Sequence, residues 1–141
     1  MRYSLPELGY DYGDLEPHYD ARTLELHHGK HHAAYVNGLN QTLERLAEAR
    51  ERQDFTSIVA LEKSLAFHLS GHVLHSLFWQ NLSPKAADRP TGALASAIQE
   101  WFGSFEALRA QLEHATVTVQ GSGWGALAWE PVGQRLVVEQ I

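Results

Sequence analysis

Leu26-His27-His28-Gly29-Lys30-His31-His32-Ala33-Ala34-Tyr35 places four of the chain's nine histidines within six positions. The flanks read as helix: Asp20 suits an N-cap, and Leu24, Leu26, Val36 and Leu39 keep apolar residues at helical intervals. On a helix His27, His31 and Tyr35 follow at i, i+4 and i+8 and share one face, while His28 and His32 fall on the neighbouring one. Imidazoles one turn apart can share a metal ion, or hold an ion beside a proton relay. A solvated histidine-rich face gives the same pattern, so the choice rests on a second histidine cluster.

That cluster lies on the next long segment. Asp54 with Thr56 or Ser57 can cap a helix running to about Asn81, along which Leu61, Leu65, His68, His72, His75 and Trp79 recur at spacings of four and three. Histidines stand where a helix seam ordinarily carries leucines, and buried imidazoles are costly unless each finds a partner. A first helix over about Ala21–Arg50 and this second one pack as an antiparallel hairpin with the two stripes meeting inside. Gly29 and Gly38 weaken the first helix locally and mark candidate close backbone approaches. The interspersed charges from Glu44 to Arg52 read as a solvated helix face.

The bulk composition narrows the chemistry. The 141 residues suit one ordinary domain, and 44% hydrophobic content supports a real core. A formal charge of −6 argues against generic nucleic-acid or anionic-membrane binding. No apolar run is long enough to span a bilayer, and Met1–Pro6 lacks the apolar core of a signal peptide, so a cytoplasmic location is expected. With no cysteine, disulfides, thiolate metal sites and thiol nucleophiles are excluded. A transition-metal site must then use His with Asp or Glu, which suits zinc, iron or manganese.

Outside the two helices, residues 1–19 carry Pro6, Gly9, Gly13 and Pro17 with tyrosines at 3, 10, 12 and 19, a composition for an extended arm anchored by its rings. Ser83–Gly92 is polar, bracketed by prolines, and reads as a linker. A short helix follows from about Ala93 to Phe102 and stops at Gly103; Ser104 caps another reaching about Ala115. Beyond the glycine-rich turn Gln120–Gly125, Ala126–Trp129 and Arg135–Ile141 read as two strands joined through Pro131-Val132-Gly133. The expected fold is mainly α with an α+β part. A long antiparallel α-helical hairpin (1–83) precedes a smaller, partial α+β domain (91–141) that ends on a strand whose open edge calls for a further partner.

Candidate ligands are His27 and His31 on one helix and His68, His72 and His75 on the other, and spacing leaves open which of them bind. Other site classes fit poorly. A di-iron carboxylate bundle needs two Glu-x-x-His motifs and only Glu25–His28 supplies one. There is no His-Glu-x-x-His, and Gly121-Ser122-Gly123 lacks the flanks of a nucleophile elbow. The glycine turn also lacks a P-loop's Lys-Ser/Thr.

The motifs together resemble the iron/manganese superoxide dismutases. Leu26–Val36 is similar to the first family signature, Gly71–Trp79 to the second and Gln120–Trp124 to the third; Leu5–Tyr12 and Asn81-Leu82-Ser83-Pro84 fit as well. The resemblance implies His27 and His75 as metal ligands, with His31 and Tyr35 on the substrate channel and proton relay. It implies Trp79 and Trp124 as walls of the site, Phe78 packing nearby, and His68 and His72 as structural. The implied cofactor is one manganese or iron ion per subunit. It cycles between trivalent and divalent states as one superoxide leaves as dioxygen and the next, with two protons, becomes hydrogen peroxide. Lys30 beside His31 can help draw in the anion despite the net negative charge, although a solvated lysine is the more ordinary reading. The implied assembly is a homodimer or tetramer, with no nucleic acid and no membrane among its partners.

Leu74 and His68 depart from the family, where asparagine is common at both positions. The family's remaining ligands come from an Asp-x-Trp-Glu-His segment that is expected beyond Ile141. Gly71, where iron-type members can carry a solvent-binding glutamine, leans towards manganese, although iron and either-metal members share the pattern. Two readings follow: a superoxide dismutase of which this is a truncated record or fragment, or a metal-incompetent, dismutase-like association module. The intact ligand-position histidines and channel residues favour the enzyme.

Overall fold

The computed structural model describes residues 2–141 and divides into two compact units, 1–86 and 87–141. In the first, α1 (Ala21–Leu26) runs into a π-helical segment (His27–His32) and then α2 (Ala33–Arg52), and α3 (Ile58–Asn81) returns alongside. Asp20 caps α1 by accepting from the Thr23 amide at 2.9 Å. The turn between α2 and α3 forms where Gln53 adopts a left-handed conformation (φ 52°). Asp54 then closes it by accepting from both the amide and the hydroxyl of Thr56.

One continuous α-helix over 21–50 is the sequence expectation, and the π segment corrects it. Its i→i+5 bonds widen the turn, a distortion that recurs at functional sites. The wider turn draws in the arc over which the four histidines spread. His28 and His32 are buried, His27 is half-buried and only His31 is exposed.

The hairpin is held by an apolar layer of Leu24, Val36, Leu39, Leu46 and Leu61, and by two reciprocal glycine contacts. The His68 ring of α3 lies over Gly38 of α2, where an added Cβ would sit 2.4 Å from His68 Cε1. The Tyr35 ring of α2 lies over Gly71 of α3, where a Cβ would fall 2.3 Å from Tyr35 Cδ1 and 2.7 Å from Cγ. Gly38 is therefore the close approach expected from its sequence position. Gly29 is not, because a Cβ there would meet only the Tyr12 hydroxyl at an ordinary 3.8 Å. Gly71→Ala strikes the root of the Tyr35 ring rather than a flexible tip. Overpacking of about 1–3 kcal/mol then outweighs a helix-propensity gain of up to about 1 kcal/mol. The urea midpoint is expected to fall; an unchanged or raised midpoint would show that the ring has room to move.

The arm over residues 2–19 is pinned by its tyrosines as expected, although its second half turns rather than extends. The backbone of Tyr3 exchanges two hydrogen bonds with the Asn40 side chain, and Tyr10 donates to the Trp79 carbonyl at 3.1 Å. Tyr12 and Tyr19 reach histidines of the π segment.

In the second unit, α4 (Gly92–Phe102) ends at Gly103, whose φ of 78° is the left-handed conformation that stops a helix. Ser104 caps α5 (Phe105–Val117) by accepting from the Ala107 amide at 3.0 Å. Strands β1 (Gly125–Glu130) and β2 (Arg135–Gln140) form an antiparallel pair in the register Leu127↔Val138 and Trp129↔Leu136. Glu130 closes their turn by accepting from the Val132 and Gly133 amides. Ile98, Leu108 and Leu136 form the core, flanked by Trp101, Phe102, Phe105, Leu127 and Val138. No helix among the described residues is long and apolar enough to cross a membrane.

Candidate metal centre

The π segment and the middle of α3 bring His27, His31 and His75 together, with one nitrogen of each ring lying within 4.8 Å of the others. His27 and His75 are nearest. Their Nε2 atoms are 3.0 Å apart and their rings meet edge to face at 4.9 Å. The Trp79 ring stands 4.9 Å from His27, nearly perpendicular to it, and Phe78 is 5.9 Å away. Tyr35 contacts both His31 (5.2 Å) and His75 (5.2 Å). Trp124 belongs to the second unit, where its amide and carbonyl pair with Ile141 at 2.8 and 3.0 Å.

Both ring nitrogens of His27 and of His75 have identifiable partners. His75 Nδ1 lies 2.6 Å from the Gly71 carbonyl. A carbonyl only accepts, so the proton is on Nδ1 and Nε2 offers a lone pair. His27 Nδ1 is 2.7 Å from the Tyr19 hydroxyl, which leaves its Nε2 directed at His75. Beneath them Trp79 Nε1 donates to His32 Nδ1 at 2.9 Å, so neutral His32 carries its proton on Nε2 and donates to His72 Nδ1 at 2.8 Å. His32 stacks on His75, with ring centres 5.2 Å apart and 21° between planes. On the arm side His28 Nε2 donates to the Pro6 carbonyl at 2.8 Å, and its Nδ1 meets the Tyr12 hydroxyl at 3.2 Å.

Burial favours the neutral form of His27, His32, His72 and His75. Burial, followed by the neighbouring His75, His31 and His28, pushes His27 from near 6.5 down to about 4. Burial, followed by His75, His72 and His28, takes His32 down to about 4 as well. His75 and His72 shift downward for the same first cause. Burial also raises the Tyr19 phenol, with the Asp20 charge adding to the shift, so Tyr19 stays a protonated hydroxyl. A neutral imidazole is the form that ligates a metal.

Of the residues singled out in the sequence, His27, His31, Tyr35, His75 and Trp79 converge here. His32, the most enclosed imidazole in the molecule, and the histidine partners Tyr12 and Tyr19 carry roles that sequence reading left unassigned. The donor set fits a first-row transition ion. Two nitrogens at about 2.0–2.1 Å from one ion, meeting at a right angle, stand about 3 Å apart, and the Nε2 pair is at 3.0 Å. Both opposite nitrogens are already engaged, as the outer contacts of ligating histidines generally are.

An α-hairpin that buries a histidine-and-aromatic cluster, followed by an α+β unit, defines a metal-binding protein of mixed helical class. Residues 2–83 match the family described as "Iron/manganese superoxide dismutases, alpha-hairpin domain", and residues 90–141 match its C-terminal domain. Among curated relatives, "Superoxide dismutase [Fe]" of Mycobacterium tuberculosis (strain CDC 1551 / Oshkosh) is 52% identical over 139 residues, covering 99% of this chain and 67% of the relative. "Superoxide dismutase [Mn/Fe]" of Propionibacterium freudenreichii subsp. shermanii is 54% identical over 136 residues, 95% of this chain and 68% of the relative. "Superoxide dismutase [Mn]" of Nocardia asteroides is 53% identical over 139 residues, 99% of this chain and 67% of the relative. The chain thus spans about two thirds of the length of these relatives. The chain belongs to the iron/manganese superoxide dismutase family, and its activity is the antioxidant disproportionation of superoxide with iron or manganese as cofactor. Relatives named for iron, for manganese and for either metal match at nearly equal identity, so the similarity carries no preference between the two.

Proposed function

We propose that this activity is built on His27 and His75 as the chain's metal ligands, one from each arm of the hairpin. The supporting observation is the 3.0 Å convergence of their Nε2 atoms while both Nδ1 atoms are held by other groups. When bound there, iron or manganese supplies one-electron chemistry, accepting an electron from one superoxide and returning it to the next. The protein's share is to position, enclose and deliver protons. His31 is exposed and Tyr35 half-buried, so together they connect solvent to the cluster and pass the two protons that peroxide formation consumes. Trp79, 4% exposed, walls the site and excludes water, which strengthens the electrostatics inside it. Trp124 joins this set on the strength of the Gln120–Trp124 motif alone. The same proposal takes 1–83 as the hairpin domain and 91–141 as the α+β domain, in a cytoplasmic homodimer or tetramer.

Tyr35→Phe separates the proposed roles. Its phenol reaches the relay and not the ion, so the variant is expected to keep wild-type manganese or iron content. Its kcat should fall roughly 10–100-fold, at or below the lower end for loss of a general acid. Metal analysis and superoxide consumption on the same sample check this. An emptied site would show that the phenol supports the metal, and an unchanged kcat would remove it from the proton path.

A further inference from the structure

We propose that Tyr19 is a positioning residue for the metal centre, its hydroxyl fixing the ring and the tautomer of His27. The proposal rests on His27 and His75 being ligands and goes beyond that assignment. The Tyr19 hydroxyl lies 2.7 Å from His27 Nδ1, and the two rings are nearly parallel at 22°. Tyr19 stands at the end of the arm, beside the helix-capping Asp20, so its backbone is anchored one residue away.

The proton inventory shows why a hydroxyl is suited to this place. Without metal, the Gly71 carbonyl holds the His75 proton on Nδ1, and His75 Nε2 can only accept. The 3.0 Å contact therefore requires His27 Nε2–H to donate to it, leaving His27 Nδ1 to accept from the Tyr19 O–H. The order is Tyr19 O–H to His27, His27 N–H to His75, His75 N–H to Gly71. To offer Nε2 to an ion, His27 must carry its one proton on Nδ1 instead. That proton passes from Nε2 to Nδ1 with no net loss or gain, and Nδ1–H now donates to the Tyr19 oxygen. Tyr19 keeps its own proton throughout and changes from donor to acceptor. A hydroxyl can serve both states; a carbonyl or an amide N–H can serve only one.

Tyr12 supplies the control. Its hydroxyl makes the same kind of contact, 3.2 Å from His28 Nδ1, on a histidine outside the Nε2 pair. Manganese and zinc dissociation constants are measured by chelator competition on the full chain, for wild type, Tyr19→Phe and Tyr12→Phe. Tyr19→Phe is expected to weaken binding 10–100-fold, the usual effect of losing a ligand's outer hydrogen bond. It should also shift the absorption bands of bound cobalt, while Tyr12→Phe changes neither. As a readout that needs no variant, nitrogen-15 spectra of histidine-labelled wild type should show the His27 proton on Nε2 without metal and on Nδ1 with zinc. Binding by Tyr19→Phe within threefold of wild type, equal weakening by Tyr12→Phe, or one His27 tautomer in both states would each overturn the proposal while leaving the ligand assignment standing. Failure of wild type to bind either ion would overturn both.

Discussion

Replacing His75 with alanine is expected to abolish metal retention and, with it, superoxide consumption. His75 is 2% exposed and sits where every ring of the cluster meets: its centre lies 4.9 Å from His27, 5.1 Å from His31, 5.2 Å from His32 and 5.2 Å from Tyr35. Truncation removes one of the two converging donors and leaves His27 Nε2 without the acceptor it has in the metal-free chain. It also opens a cavity in the hairpin seam, which costs about 2–5 kcal/mol for a large buried side chain. Folding and ligation are therefore measured separately. His75→Gln, closer in volume, should preserve most of the helical signal and the urea midpoint and still lose the metal. Manganese or iron content after dialysis is expected at background for both variants. Stoichiometric metal in either would pass the ligand role to His31, whose ring nitrogen already lies within 4.8 Å of the pair.

The helices could be read from the sequence because their determinants are local or periodic. Asp20, Gly103 and Ser104 announce helix ends through contacts that span three or four residues. The stripe from Leu61 to Trp79 announces a buried face through its spacing. That logic also set the two histidine stripes facing each other, while the choice of His27 and His75 among them came from the family resemblance. The same logic could not reveal the π segment, because His27–His32 carries no apolar residue whose spacing would record the wider turn. Nor could it assign His32, whose decisive partners, His72 and Trp79, lie 40 and 47 residues away on the other helix. A tyrosine-rich arm signals anchoring, but the identity of each anchor depends on how the chain folds back. Tyr19 and Tyr12 therefore read alike in the sequence, although one supports a proposed ligand and the other a clamp on the arm.

The same network dictates how the metal-free chain responds to acid. His27 and His32 are each held down to about 4 in the folded chain, against an ordinary value near 6.5. Between pH 6.5 and 4 the unfolded chain takes up protons at these positions and the folded chain does not. Lowering the pH therefore favours unfolding throughout that window, and the effect levels off below about 4, where both states are protonated. Each fully shifted histidine contributes a slope of about 1.4 kcal/mol per pH unit. His32 is fully enclosed, whereas half-buried His27 is screened by solvent, so the combined slope should lie between one and two protons. His72 and His75 shift in the same direction and add to it. The lowered carboxyls of Asp20 and Asp54 also favour unfolding in acid, but only below their ordinary value of 3.8, outside this window. Urea midpoints of the hairpin unit, followed by helical signal in the presence of a chelator at pH 7, 6, 5 and 4.5, should hold steady at first and then fall steeply. Bound metal competes with the same protons, so saturating manganese should delay the fall to lower pH. A midpoint that stays level from pH 6.5 to 4.5 would mean that the histidines titrate near their ordinary values inside the fold. The neutral, directed hydrogen bonds running from Trp79 through His32 to His72 would then not describe the protein in solution.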